Sequence, residues 1–217
     1  MKRFIGLAFF FSILIFLACD GEVTVNLYVQ DLLELRSINT GFIYTTANVV
    51  ISNITKDSEK DFFASVIGNV SNGHMVKEEN SDAYSFDTKI PLIGKNNPVT
   101  AIAENDLLFI KMIETSDGFG IAYQFNEIVL DKIHSWVKSE YNQDFSAEDI
   151  AVNIIMNNDS VDDFSFTASS VYINGAAYPF EKNNVLKRRE NLTIQVSEVL
   201  NMAVGTDSDM LPFIMFK

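Results

Sequence analysis

Phe4 to Cys19 is an uninterrupted uncharged run, preceded by Met1-Lys2-Arg3 and broken by Asp20-Gly21-Glu22. It constrains this chain more than any other feature, because it decides which residues enter the fold at all. As a helix the run spans roughly 24 Å at about 1.5 Å per residue, short of the roughly 30 Å hydrocarbon core of a bilayer. A basic flank, a short apolar stretch and a small residue before the break describe an export signal, not a permanent span. No Lys or Arg cluster follows, so the positive flank stays inside and the remainder is exported. Alternation then begins at once: Val23, Val25, Leu27 and Val29 on one side, Thr24, Asn26 and Tyr28 on the other. That is a half-buried strand.

Phe16-Leu17-Ala18-Cys19 resembles the lipobox of bacterial lipoproteins, in which Leu-(Ala/Ser)-(Gly/Ala)-Cys precedes cleavage. Ala18 and Cys19 fit; Phe16 stands where Leu is usual, and Leu17 is bulkier than the usual Ala or Ser. The resemblance covers residues 1–19. It implies cleavage between Ala18 and Cys19, diacylglycerol on the Cys19 thiol, and acylation of the new amine by a fatty acid such as palmitate. Ordinary secretory cleavage would instead leave Cys19 a free thiol, open to oxidation outside the cytoplasm. Loss of residues 1–18 takes Lys2 and Arg3 from 16 basic residues and none of the 29 acidic ones, moving the formal net charge from −13 to −15. No basic residue then precedes Arg36, so lipid and not charge would hold the protein to an anionic surface. Residues 19–22 make a short spacer, and 23–217 form one domain close to the membrane. The expected location is the cell envelope, exported, with the leaflet open.

Composition narrows the class further. One Cys excludes a disulfide framework or a multi-Cys zinc domain. Net acidity excludes a nucleic-acid partner, which needs clustered Lys and Arg. With 47% hydrophobic residues the chain has ample core and is no disordered acidic tail.

Along the chain, Gln30–Arg36 suits a short helix and Ile43–Ser52 a strand. Ser58, with Asp61 three residues on, reads as a helix cap ahead of Phe62, Phe63, Val66, Ile67 and Val70. Polar residues 71–82, with Asn72-Gly73, read as a loop. Tyr84–Ile93 and Asp106–Glu114 read as strands, the first pushed to a sheet edge by Pro91. Asp117-Gly118 marks a tight turn into Phe119–Phe125. The clearest helix carries Phe125, Ile128, Val129, Ile133, Trp136, Val137 and Tyr141 on one stripe. Residues 142–147 are the best place for an internal break. Ile150–Met156 returns to strand, Asn174-Gly175 joins a hairpin, and Leu192, Ile194 and Val196 alternate. Leu211-Pro212-Phe213-Ile214-Met215-Phe216 is too apolar for a frayed tail and belongs in the core sheet. The fold class expected is α+β, predominantly antiparallel sheet with about two substantial amphipathic helices.

Catalytic equipment is sparse: no G-x-S-x-G, Walker A, H-E-x-x-H or S-x-x-K set occurs. His74 falls in the polar 71–82 stretch and His134 off the apolar stripe, both expected on the surface. Asp159, Asp162 and Asp163 could offer oxygen ligands to a cation, but without the alternating ligands, central Gly and terminal Glu of a calcium loop. No metal or cofactor is therefore assigned. Lys187-Arg188-Arg189 reads as a charged strand entry, or as a contact to an acidic partner or headgroup. These features favour a lipid-anchored binding or assembly protein without catalysis of its own, in contact with the membrane through Cys19 and with a protein partner in the envelope. Two alternatives stay open: an envelope hydrolase using carboxylates in a β-rich cleft, and a surface adhesin or antigen.

Overall fold

The structure, a computed structural model, describes residues 20–38, 41–78, 81–98, 102–116, 118–206 and 210–216. The first alternating segment is β1 (Gly21–Tyr28), with Val23, Val25 and Leu27 facing the core. Val29, expected to extend this strand, instead opens α1 (Val29–Ile38), whose Leu32 and Leu35 turn back into the core. Next come β2 (Phe42–Ser52) and α2 (Asp57–Val66). The cap of α2 differs from the expected Ser58 and Asp61 pair. Glu59 sits in the first turn, and its carboxylate accepts the amides of Thr55 at 2.9 Å and Lys56 at 2.8 Å, satisfying donors that an isolated helix start leaves orphaned.

The remaining elements are β3 (Ser71–Lys77), β4 (Asp82–Ile93), β5 (Leu108–Thr115), β6 (Gly118–Phe125), α3 (Glu127–Tyr141), β7 (Ile150–Asn157), β8 (Phe164–Ala168), β9 (Val171–Ile173), β10 (Ala176–Tyr178), β11 (Lys182–Leu186), β12 (Asn191–Val196), α4 (Glu198–Thr206) and β13 (Ile214–Phe216). The 71–82 loop is thus a strand over most of its length. β3 pairs with β4 at the margin of the sheet and has its side chains in solvent on both faces, so it has no hydrophobic period to betray it. A bulge between Ser71 and His74 absorbs Asn72, at φ 55°, and Gly73. A Cβ on Gly73 would meet the Tyr84 hydroxyl at 2.1 Å, so this close approach requires glycine.

One sheet joins all thirteen strands in the order β10-β9-β12-β7-β1-β2-β4-β5-β6-β13-β8-β11, with β3 attached to β4. Most neighbours are antiparallel; β1 runs parallel to β7, and β4 to β5. β8 and β9 lie near opposite ends of this path, yet only Ser169 and Ser170 separate them in the chain. The Ser169 amide donates to Phe213 O and the Ser197 amide to Ser170 O across the junction. The sheet therefore curls until its two ends meet, a nearly closed barrel-like form that protects most strand edges. Pro91 is not on a sheet edge: β4 lies between β2 and β5. β5 joins β4 only at Leu92 and Ile93, so that side of the strand has no ladder at Pro91 to interrupt.

The inward faces of β1, β2, β7 and β12 build one continuous core with Phe63, Ile133 and Val137 of the helices. Each such side chain, fully buried, contributes about 1.5–3 kcal/mol. α3 is capped by Asn126, whose side chain accepts the Ile128 amide, and ends at Asn142 in the left-handed conformation. α2 and α3 lock through aromatics: Trp136 stacks on Phe62 at 4.5 Å and meets Phe63 and Tyr141 edge-on at 5.4 and 5.6 Å. Phe125, expected in the same cluster, packs on Tyr123 instead. Phe145 and Ala147, within the segment expected to offer an internal break, are buried in this same core.

Candidate functional site

The expected cleavage site, Ala18 and Cys19, and the expected lipidation at Cys19 lie outside the described residues, as does Asp117 of the expected turn. Of the expected spacer, only Asp20 lies between Cys19 and β1. Its carbonyl accepts the Ser52 amide, so the chain is already held one residue after Cys19.

The candidate acids Asp159, Asp162 and Asp163 lie at the opposite end of β1, and each is engaged by the fold through its side chain or its backbone. Asp159 Oδ1 accepts the Gln30 amide at 2.9 Å and so caps α1 from a distant loop. Asp163 Oδ1 accepts the Arg188 amide at 2.9 Å. The Asp162 carbonyl receives Asn158 Nδ2 at 2.9 Å and the Ser160 hydroxyl at 3.0 Å. Asn158, 1% exposed, also donates to Leu186 O and accepts the Ser160 amide and hydroxyl. The Arg189 amide donates to Asn158 O and the Asn158 amide to Glu190 O. The acidic loop and the Lys187-Arg188-Arg189 turn are thus one polar clamp. No group of three or more His, Cys, Asp or Glu fit for a metal occurs among the described residues.

His74 stands on β3, exposed, with Nδ1 2.8 Å from Asn72 O. His134 is half-buried and not on the open surface; its Nδ1 lies 2.8 Å from Phe145 O and shapes the loop after α3.

Two carboxyls are pushed up from their usual range. Burial raises Asp106, against the Ala103 amide and the Tyr44 hydroxyl, which favour its ionised form. Burial also raises Asp31, helped by the negative charges of Asp159 and Glu34. Neither lines the cleft of about 440 Å³ between Ile102–Glu104 and Gln124–Ile128, whose acids Glu104 and Glu127 are exposed. The raised carboxyls and the cleft are separate features.

The outward face of the sheet brings distant residues together. Register places Tyr172, Gln195, Asn153, Thr24, Asn48 and Asp87 side by side across β9, β12, β7, β1, β2 and β4. Asn48 Nδ2 donates to Asp87 Oδ1 at 3.1 Å, and Asn72 Nδ2 to Asp87 Oδ2 at 2.8 Å. These two amide bonds hold the Asp87 carboxyl below its usual range. Exposed Tyr28 and Tyr44 flank the row on β1 and β2. Amides that donate and accept, beside amphipathic tyrosine rings, suit a polar partner with little charge. Alternation already assigned Thr24, Asn26 and Tyr28 to this face; the lateral row exists only once six strands are paired.

A family model described as a domain of unknown function (DUF7424) matches residues 21–216. The chain belongs to the DUF7424 family. The match begins at the first residue of β1 and ends at the last of β13, so the DUF7424 domain and the curled sheet are coextensive. No curated protein and no solved structure matches the chain. No described helix is long and apolar enough to cross a membrane.

Proposed function

We propose that this DUF7424 protein is a lipid-anchored protein of the cell envelope that binds rather than catalyses, held by acylated Cys19. Its working surface is the outer face of β9, β12, β7, β1, β2 and β4, which it offers to an envelope component or partner protein. The lateral row from Tyr172 to Asp87 carries this assignment: a hydrogen-bonding surface six strands wide. Hydrolysis by paired carboxylates is less well supported, because raised Asp31 and Asp106 line no common cleft. The adhesin alternative differs in display, and protease treatment of intact cells separates the two: a protected domain excludes surface exposure.

A photoreactive residue at Asn153 or Gln195, irradiated in cells, is expected to give a discrete adduct that the same residue at Val185 on β11 does not. Adducts identical at all three positions, or none, would overturn the binding face. Cys19→Ser is expected to abolish fatty-acid labelling and release the protein from membranes. Persistent labelling and sedimentation with membranes would overturn the anchor.

A further inference from the structure

We infer that α4 is a lipid-contacting helix: its Val199–Met202 ridge rests against the headgroup region of the bilayer that holds the Cys19 anchor. The inference rests on the lipid-anchor assignment above and adds an orientation to it.

Strand register fixes where α4 lies. Gly21 of β1 pairs with Ile150 of β7, and β12 runs antiparallel to β7, so the chain leaves β12 at the end of the sheet where β1 begins. α4 starts there. Asn201, 5% exposed, donates to Ala147 O at 2.8 Å and to Ile150 O at 2.9 Å, and accepts the buried Tyr123 hydroxyl at 2.7 Å. Leu200 is buried beside it. With Leu200 and Asn201 held inward, a helical turn of about 100° per residue puts positions 199 and 202 directly opposite. Val199 is accordingly 75% exposed and Met202 49%. The polar pin prevents the helix from rolling to bury them. Leu211, 51% exposed, is near the same end, since Phe213 two residues on packs edge-on against Tyr123 at 5.8 Å.

The length of free chain decides what covers this ridge. From Cys19 to Gly21 is two residues, at most about 7 Å when extended, comparable to the headgroup layer of one leaflet, about 5–8 Å thick. An acylated Cys19 therefore brings this end of the sheet against the headgroups. Charge selects the lipid. Asp20, Glu148 and Glu198 are exposed here, and the two lysines of the α2 start, Lys56 and Lys60, are paired with Glu59 and Asp57. The fitting surface is zwitterionic. The basic turn Lys187-Arg188-Arg189 is at the far end of the sheet, beyond the reach of this leaflet.

The test uses the full lipidated chain in phosphatidylcholine–phosphatidylethanolamine vesicles, with a nitroxide on Val199→Cys, on Met202→Cys, or on Val185→Cys as a distant control. Acylated Cys19 has no free thiol, so one label per chain is expected. The expected result is that labels at 199 and 202 lose access to a water-soluble relaxing agent and gain access to oxygen, while 185 stays aqueous. If the protein floats with vesicles and 199 stays as aqueous as 185, the inference is overturned and the anchor stands. A second label per chain, on Cys19, together with protein that does not float, overturns the anchor and the helix contact together. Shielding of 199 that appears in detergent as protein concentration rises assigns the ridge to a second copy and overturns lipid contact.

Discussion

Each end of the sheet is fastened by a buried asparagine, and the two are used in opposite ways. At the far end Asn158 joins two loops, and nearly everything it touches is backbone of those loops or Ser160. Its side-chain bonds are all made within those loops, and the exposed apolar residue there, Val161 at 75%, sits on an irregular turn. At the β1 start Asn201 fastens a helix whose inner side is satisfied and whose outer side is apolar and open. A buried amide thus finishes a structure at one end and prepares a surface at the other. Only the second arrangement lines up its exposed apolar side chains, Val199 and Met202, along one face of a helix.

Asn158→Ala should be the most damaging single change, about 4 kcal/mol in urea unfolding, because two carbonyls, an amide and a hydroxyl each lose a bond in a nearly dry site. Hydrogen exchange should quicken in 158–163 and 187–190 while α4 keeps its protection. Asn201→Ala should cost about 3 kcal/mol and loosen α4 while the far clamp stays slow. If either change opens both ends, the two fastenings are one unit and the contrast fails.

Acid should also act mainly at the β1 end. Burial alone would raise Glu59, but the Tyr141 hydroxyl, the Lys56 and Thr55 amides and the Lys56 ammonium outweigh it and hold its pKa at about 2. A folded value below the unfolded one, near 4.5, gives stability that is fully present above the unfolded value. About 3 kcal/mol should vanish as the pH falls from about 5 towards 2, and Glu59→Gln should flatten that slope in thermal melts. Tyr123→Phe removes one of the three Asn201 partners while keeping the ring, and about 1 kcal/mol is expected in the same unfolding assay. Val199→Ser should change stability by less than about 0.5 kcal/mol, as befits a side chain that touches little of its own protein.

Local pattern was enough for the segments whose two faces see different solvents. β1 and β12 alternate; α3 buries Val129, Ile133 and Val137 of its stripe, though Ile128 is exposed; and the apolar C-terminal segment enters the sheet as β13 between β6 and β8, with Leu211 left exposed. β3 was illegible because both its faces are wet. Val29 alternates like its predecessors but turns into α1, since burial on a helix and on a strand asks the same of one residue. The buried asparagines were illegible for a different reason. Asn201 meets partners 51, 54 and 78 residues away, and nothing next to it in the chain distinguishes it from a surface Asn. The outer row is a product of register between strands whose order is not their order in sequence, and α4 follows from the same register.

The place of β13 bears on how the protein is made. It is the last strand in the chain, yet it lies inside the sheet, between β6 and β8, and it alone ties the β8–β11 hairpin to the main ladder. Until it arrives, β6 and β8 are two open edges, each able to recruit a strand from another molecule. The long-range pairing that completes the ladder must wait until the twelve preceding strands have been made, which makes this a slow closure by topology alone. Late closure keeps the unfinished ladder open to unfolding, since neither β6 nor β8 is locked in place before β13 pairs with both.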